Sequence, residues 1–112
     1  MKIKTLLLAG LMLAGCATTP TQTYRPANYA GPAWTIEGHM KPGLIDYEIT
    51  VKINSQSVVT GKMTDFQDTA EFTGQYEGRK INASCSKIQT MRGVTVQCLV
   101  FVDGERAATL QF

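Results

Sequence analysis

Groups that carry chemistry are scarce in this chain. Its 112 residues include one histidine, three cysteines and one tryptophan, and charged residues make up only 18%. No Gly-x-Ser-x-Gly, His-Glu-x-x-His or Cys-x-x-Cys spacing occurs, and no glycine loop of the phosphate-binding type. Hydrolases, zinc sites and nucleotide sites built on those motifs are therefore not expected. The length fits one small domain and excludes multidomain enzymes and solenoids. A formal charge of +2 invites a polyanion partner. Two of the eleven basic residues, however, are Lys2 and Lys4 at the extreme N-terminus, and without them nine positive charges face nine negative ones. Affinity for a phosphate backbone needs net or clustered positive charge, so no nucleic-acid partner is expected.

What is present begins with an address. MKIKTLLLAGLMLAGC has two lysines, an apolar run from Leu6 to Leu13 and small residues before Cys16, the layout of a secretory signal. The apolar run is too short to span a bilayer, which takes about 20 residues. Leu13-Ala14-Gly15-Cys16 resembles the lipobox of bacterial lipoproteins. The resemblance covers the signal peptide (1–15) and the acceptor cysteine. It implies removal of the peptide, a diacylglycerol thioether on Cys16 and an acylated, for example palmitoylated, new amine. One acyl chain anchors reversibly, whereas two or three hold permanently. Ala17 stands where an Asp would favour inner-membrane retention, so the resemblance implies an outer-membrane lipoprotein, on the periplasmic face or the cell surface.

Residues 16–33 follow as the lipidated cysteine and a tether with three prolines and no hydrophobic period. Seventeen residues in extended geometry would reach about 50 Å. For Tyr24 and Tyr29 this reading favours no fixed role over docking on the domain or lying at the membrane interface.

From Trp34 to Phe112 the apolar residues recur at period two, the mark of half-buried strands. The expected fold is all-β: an antiparallel meander of about seven strands over 34–112, closed or nearly closed into a barrel, with a β-sandwich as the alternative. Pairing the strands as hairpins sets Ile36 opposite Ile49, Gly38 opposite Tyr47, Ile49 opposite Met63, Gly61 by Phe72, Phe72 opposite Ala83 and Ala83 opposite Val100. A bulge in the last hairpin brings Leu110 opposite Cys98. Cys85 and Cys98 become direct neighbours in a hairpin about Met91-Arg92. With Cys16 lipidated the remaining pair is even, and a disulfide is expected in an oxidising compartment.

Two surface features stand out. His39 lies on the outer face opposite Asp46, with Glu37 opposite Glu48 beside it. This is read as a solvated face holding an ion pair, and a cation site or an acid/base pair is the alternative. Leu99 and Phe101 point outward among polar residues, flanked by Ala107 and Thr109, and form a candidate binding surface. No catalytic residue, metal ligand or cofactor is assigned. The expected function is a non-enzymatic protein-binding module on the cell envelope, such as an inhibitor of an envelope-targeting enzyme. A small-molecule or lipid carrier using the barrel interior is the alternative, as is a scaffold subunit of an envelope or secretion complex.

Overall fold

In the computed structural model, residues 16–91 and 93–112 are described. The expected signal peptide (1–15), including Leu13-Ala14-Gly15 of the lipobox-like stretch, and Arg92 of the predicted turn lie outside the described residues. The described residues contain no helix and nine strands: β1 Ala17–Thr18, β2 Gln22–Tyr24, β3 Trp34–Pro42, β4 Asp46–Ile53, β5 Gln56–Thr64, β6 Thr69–Tyr76, β7 Arg79–Thr90, β8 Gly93–Val102 and β9 Glu105–Gln111. The all-β expectation holds. The closure does not: the strands form two antiparallel sheets, β1/β2-β3-β4-β5 and β6-β7-β8-β9, rather than one closed barrel. Both contribute to a single core that includes Trp34, Ile36, Ile49, Met63, Ile81, Val100 and Leu110, so the architecture is that of the sandwich alternative.

Local chemistry explains the two seams. Between β5 and β6 the chain turns a corner at Asp65–Asp68, held by Thr64 N donating to Gln67 Oε1 at 2.9 Å and Gln67 N donating to the Thr64 carbonyl at 3.2 Å. Beyond that corner β5 and β6 pack instead of laddering. A Cβ on Gly61 would overlap the Phe72 ring, and one on Gly74 would overlap the Val58 carbonyl. The expected meeting of Gly61 with Phe72 is therefore present, but as packing between sheets. At the opposite seam β2 approaches β9, and a side chain bridges them. The Gln22 carboxamide donates through Nε2 to the Thr109 carbonyl and accepts from Thr109 N through Oε1 at 3.2 Å. It makes the two bonds that a peptide unit of a neighbouring strand would make.

The second sheet matches the predicted register throughout: Phe72 opposite Ala83, Cys85 opposite Cys98, Ala83 opposite Val100, and Cys98 opposite Leu110 past a bulge at Val100/Phe101. The first sheet slips. Ile36 pairs with Ile53, Gly38 with Val51, and Ile49 with Gly61. The β3–β4 hairpin runs on to Pro42 and closes through Gly43 N donating to the Asp46 carbonyl at 2.6 Å. This gives Ile53 a buried partner, whereas the predicted register would have placed it beyond the start of β3. Ile45, expected on the inner face, lies in the turn instead and is 62% exposed. What covers Gly38 is Phe112 and Leu110 from the other sheet, not Tyr47. The β4–β5 turn is Asn54-Ser55, both with positive φ, as a two-residue hairpin of the primed type requires.

The larger correction concerns the tether. Ala17 and Thr18 pair with Met40 and His39, and Gln22, Thr23 and Tyr24 pair with Ile36, Thr35 and Trp34. Between them Thr19–Thr21 bulge past β3: Thr19 N donates to the Gly38 carbonyl at 2.9 Å, and its Oγ1 accepts from Gly38 N at 2.9 Å. Pro20 sits in the bulge, where a missing N–H costs no ladder bond. Composition alone read this stretch as an extended linker. The exposed edge of β3 offers it backbone partners, and a sheet edge left open is a liability. Tyr24 and Tyr29 both dock edge-on against Trp34, with centroids at 6.4 and 5.7 Å.

Two measurements check this account. Replacing both Cys85 and Cys98 with Ala should lower unfolding stability by about 3 kcal/mol, because the crosslink closes a short loop in the unfolded chain; an unchanged urea midpoint would contradict it. Gln22→Ala should cost about 1 kcal/mol and speed hydrogen exchange of the Thr109 amide. Unaltered exchange would show that the bridge does not close the seam.

Candidate functional site

Three parts of the surface carry the side chains singled out in the sequence. The first is the outer face of β3. His39 Nε2 lies 2.8 Å from Glu37 Oε2, one strand period away on the same face. The N-terminal strand completes the group: Thr18 Oγ1 is 3.2 Å from His39 Nδ1, and Thr21 Oγ1 donates to Glu37 Oε1 at 3.0 Å. The hydrogen bond from His39, then that from Thr21, holds the Glu37 carboxyl below the ordinary carboxylate range.

Asp46 and Glu48 are not part of this group. The register slip sets Thr50 opposite His39 and Lys52 opposite Glu37, and it moves Glu48 opposite Lys41 and Asp46 opposite Thr64. The predicted cross-strand pairs His39–Asp46 and Glu37–Glu48 are thus absent, and Glu48 and His39 share only the wall of a surface cleft. Among the described residues no three His, Cys, Asp or Glu side chains converge as a metal would require. The chemistry available at Glu37 and His39 is that of a hydrogen-bonded pair on an open face. Sequence reasoning missed Thr18 and Thr21, because nothing in a Thr/Pro-rich stretch marks it as a strand.

The second part is the outer face of β8. Leu99 lies between Ser84 and Thr109, and Phe101 lies between Asn82 and Arg106. Both are half-buried and lie outside the core cluster. The bulge that aligns Leu110 with Cys98 brings Arg106 opposite Phe101, while Ala107 packs against the core. Of the four predicted surface residues, Leu99, Phe101 and Thr109 therefore share the outer face and Ala107 does not.

The third part is Cys16. It is exposed and unbonded, and it borders a surface cleft with His39, Met40, Lys41, Glu48 and Lys52. The pairing of Ala17 with Met40 sets it there. Cys85 and Cys98 are joined by a disulfide across β7 and β8, their Cα atoms 4.0 Å apart. Both are buried in the core, where the bond serves the fold.

No protein-family model matches the chain, and no curated protein or solved structure was found to be similar to it. The site must be argued from its own geometry.

Between the sheets, Trp34, Ile36, Ile53, Met63, Val100 and Leu110 are at most 0% exposed. Side chains fill the interior that a carrier would use. The N-terminal segment also straps the β8–β9 turn: Tyr24 Oη donates to Glu105 Oε1, and Arg79 donates through Nη2 to the Ala27 carbonyl at 3.3 Å while Nη1 lies 3.6 Å from Asp103 Oδ2. Burial first, then the bond to Glu105 and its negative charge, push the Tyr24 phenol up to about 12.

This yields a pH prediction. A phenol whose pKa is raised by folding contributes stability in full below its unfolded value near 10, and that contribution is lost as pH rises through the folded value. An absorbance titration should show a late tyrosine phase near pH 12 from Tyr24. Tyr24→Phe should remove that late phase; its persistence in the variant would refute the assignment.

Proposed function

We propose that this chain is a lipid-anchored lipoprotein of the bacterial outer membrane, held through Cys16, that acts as a non-enzymatic binding module for another envelope protein. The observation that carries the binding role is the pair Leu99 and Phe101. They lie on one face of β8, in a sheet whose outer face is otherwise polar or charged apart from Ile88, which lies opposite Thr95 toward the β7–β8 turn. Apolar side chains grouped on a polar face, with Arg106 and Thr109 at the margin, have the composition of a small interface centre with a polar rim. An inhibitor of an envelope-targeting enzyme is one form that such a module takes.

Two features support the address. Cys16 is exposed and unbonded, free to carry a lipid. Cys85 and Cys98 form a disulfide, which fits a compartment outside the reducing cytosol.

The test uses the full-length chain in intact envelopes. A hot-spot side chain contributes about 2 kcal/mol or more to binding. Replacing Leu99 and Phe101 together with Ser should therefore reduce recovery of a crosslinked envelope partner by more than about tenfold. The melting temperature should move little, because neither residue packs in the core. Equal recovery from the variant and the wild type would refute the surface.

A further inference from the structure

We propose that one end of the sandwich is a lipid-contacting end, whose loop tips sit in the interfacial region of a bilayer. In an up-and-down meander alternate turns fall at opposite ends. One end carries Asn54-Ser55, Glu77-Gly78 and Asp103-Gly104, all tight polar turns with positive φ. The other carries the β3–β4 turn, the β5–β6 loop and the tip of the β7–β8 hairpin. These are tied together by Asp65 N donating to the Ile45 carbonyl at 2.9 Å and Lys87 Nζ donating to the Asp65 carbonyl at 2.6 Å.

Every large hydrophobic side chain that is exposed among the described residues belongs to this second end: Leu44 at 101%, Ile45 at 62%, Phe66 at 88%, Met91 at 105% and Val94 at 61%. Leu44, Ile45, Phe66 and Met91 come from three separate connections, and Val94 from the start of β8 beside the last of them. Fully exposed single tips of this kind suit insertion between lipid headgroups, where apolar groups sink about 5–10 Å; a protein partner is better met by a continuous apolar patch.

The position of Cys16 names the occupant. Because Ala17 pairs with Met40, Cys16 lies beside Lys41, close to the Gly43–Ile45 turn. The assignment rests on the lipid-anchor reading of Cys16: acyl chains there enter the bilayer at the same end as the apolar tips. The strand pairing of residues 17–24 leaves no slack to hold that end away. Charges of both signs are mixed at this end, with Glu48 facing Lys41 and Lys62 across the sheet and Asp65 and Asp68 in the β5–β6 loop, so no cationic patch drives the contact. Neutral lipid therefore suffices, and salt has little effect.

Full-length protein made in a bacterial host is reconstituted into phosphatidylcholine vesicles with plain or brominated acyl chains, and tryptophan emission is compared. Trp34 is fully buried and supplies a constant background. Phe66→Trp and Leu44→Trp should each lose about half of the added emission to brominated lipid. Gln56→Trp, exposed at the polar end, should lose none. Equal emission of Phe66→Trp and Leu44→Trp in the two kinds of vesicle overturns the proposal. Intact mass of the same samples reads the anchor separately. Quenching with an unmodified Cys16 keeps the lipid-contacting end and removes the anchor, and acylated Cys16 without quenching does the reverse.

Discussion

Trp34 is fully buried, and three tyrosine rings meet it edge to face: Tyr76 at 4.9 Å from the second sheet, and Tyr24 and Tyr29 from the N-terminal segment. Such contacts contribute about 0.5–1.5 kcal/mol each beyond the area they bury. Their larger effect is geometric. Tyr24 pairs with Trp34 through the backbone as well, so the ring cluster fixes where the N-terminal segment crosses β3. From that point the segment covers the free edge of β3, Gln22 reaches β9, and Cys16 comes to rest beside Lys41. Seam, edge and the position of Cys16 all follow from one packed indole.

A small domain with apolar sheet faces and no helix among the described residues has few ways to bury those faces. The present solution divides the strands into two sheets at a corner and joins the open side with a glutamine side chain. Ladders at both seams would have made a barrel. Side-chain bridging instead lets the two sheets keep their own twist, and the core fills with β-branched and sulfur-containing residues. The disulfide between neighbouring strands of the second sheet adds stability that so small a core does not supply alone.

The second sheet was legible because its turns and cysteines act as punctuation. Glu77-Gly78 and Asp103-Gly104 mark two-residue turns, and Cys85 and Cys98 pin the strands between them. The first sheet has no comparable marks. Its strands slipped by two or four residues over most of their length, even numbers that keep the core side chains on the predicted face while changing their partners; Ile45, displaced into the turn, is the exception. The turn at Asn54-Ser55 was hidden because serine seldom takes a positive φ; here Asn54 is held by Thr35, which donates from N to Asn54 Oδ1 at 3.0 Å. The cluster assembled around His39 came from that register, so it separated when the partners changed. The tether was read from composition, which reports what a segment could do alone and not what an unpaired edge offers it.

The N-terminal strand also sets a length scale. Had residues 17–33 been a loose leash, the β8 face would sweep a wide volume around the attachment point. Paired with β3, residues 17–24 hold Cys16 at a fixed place relative to the β8 face. Leu99 lies six residues along β8 from Gly93, about 20 Å at the rise of an extended strand. On the proposed anchor and binding face, the molecule would work as a ruler: it would offer Leu99 and Phe101 at one height and one orientation, and a partner would have to come to that level to meet them.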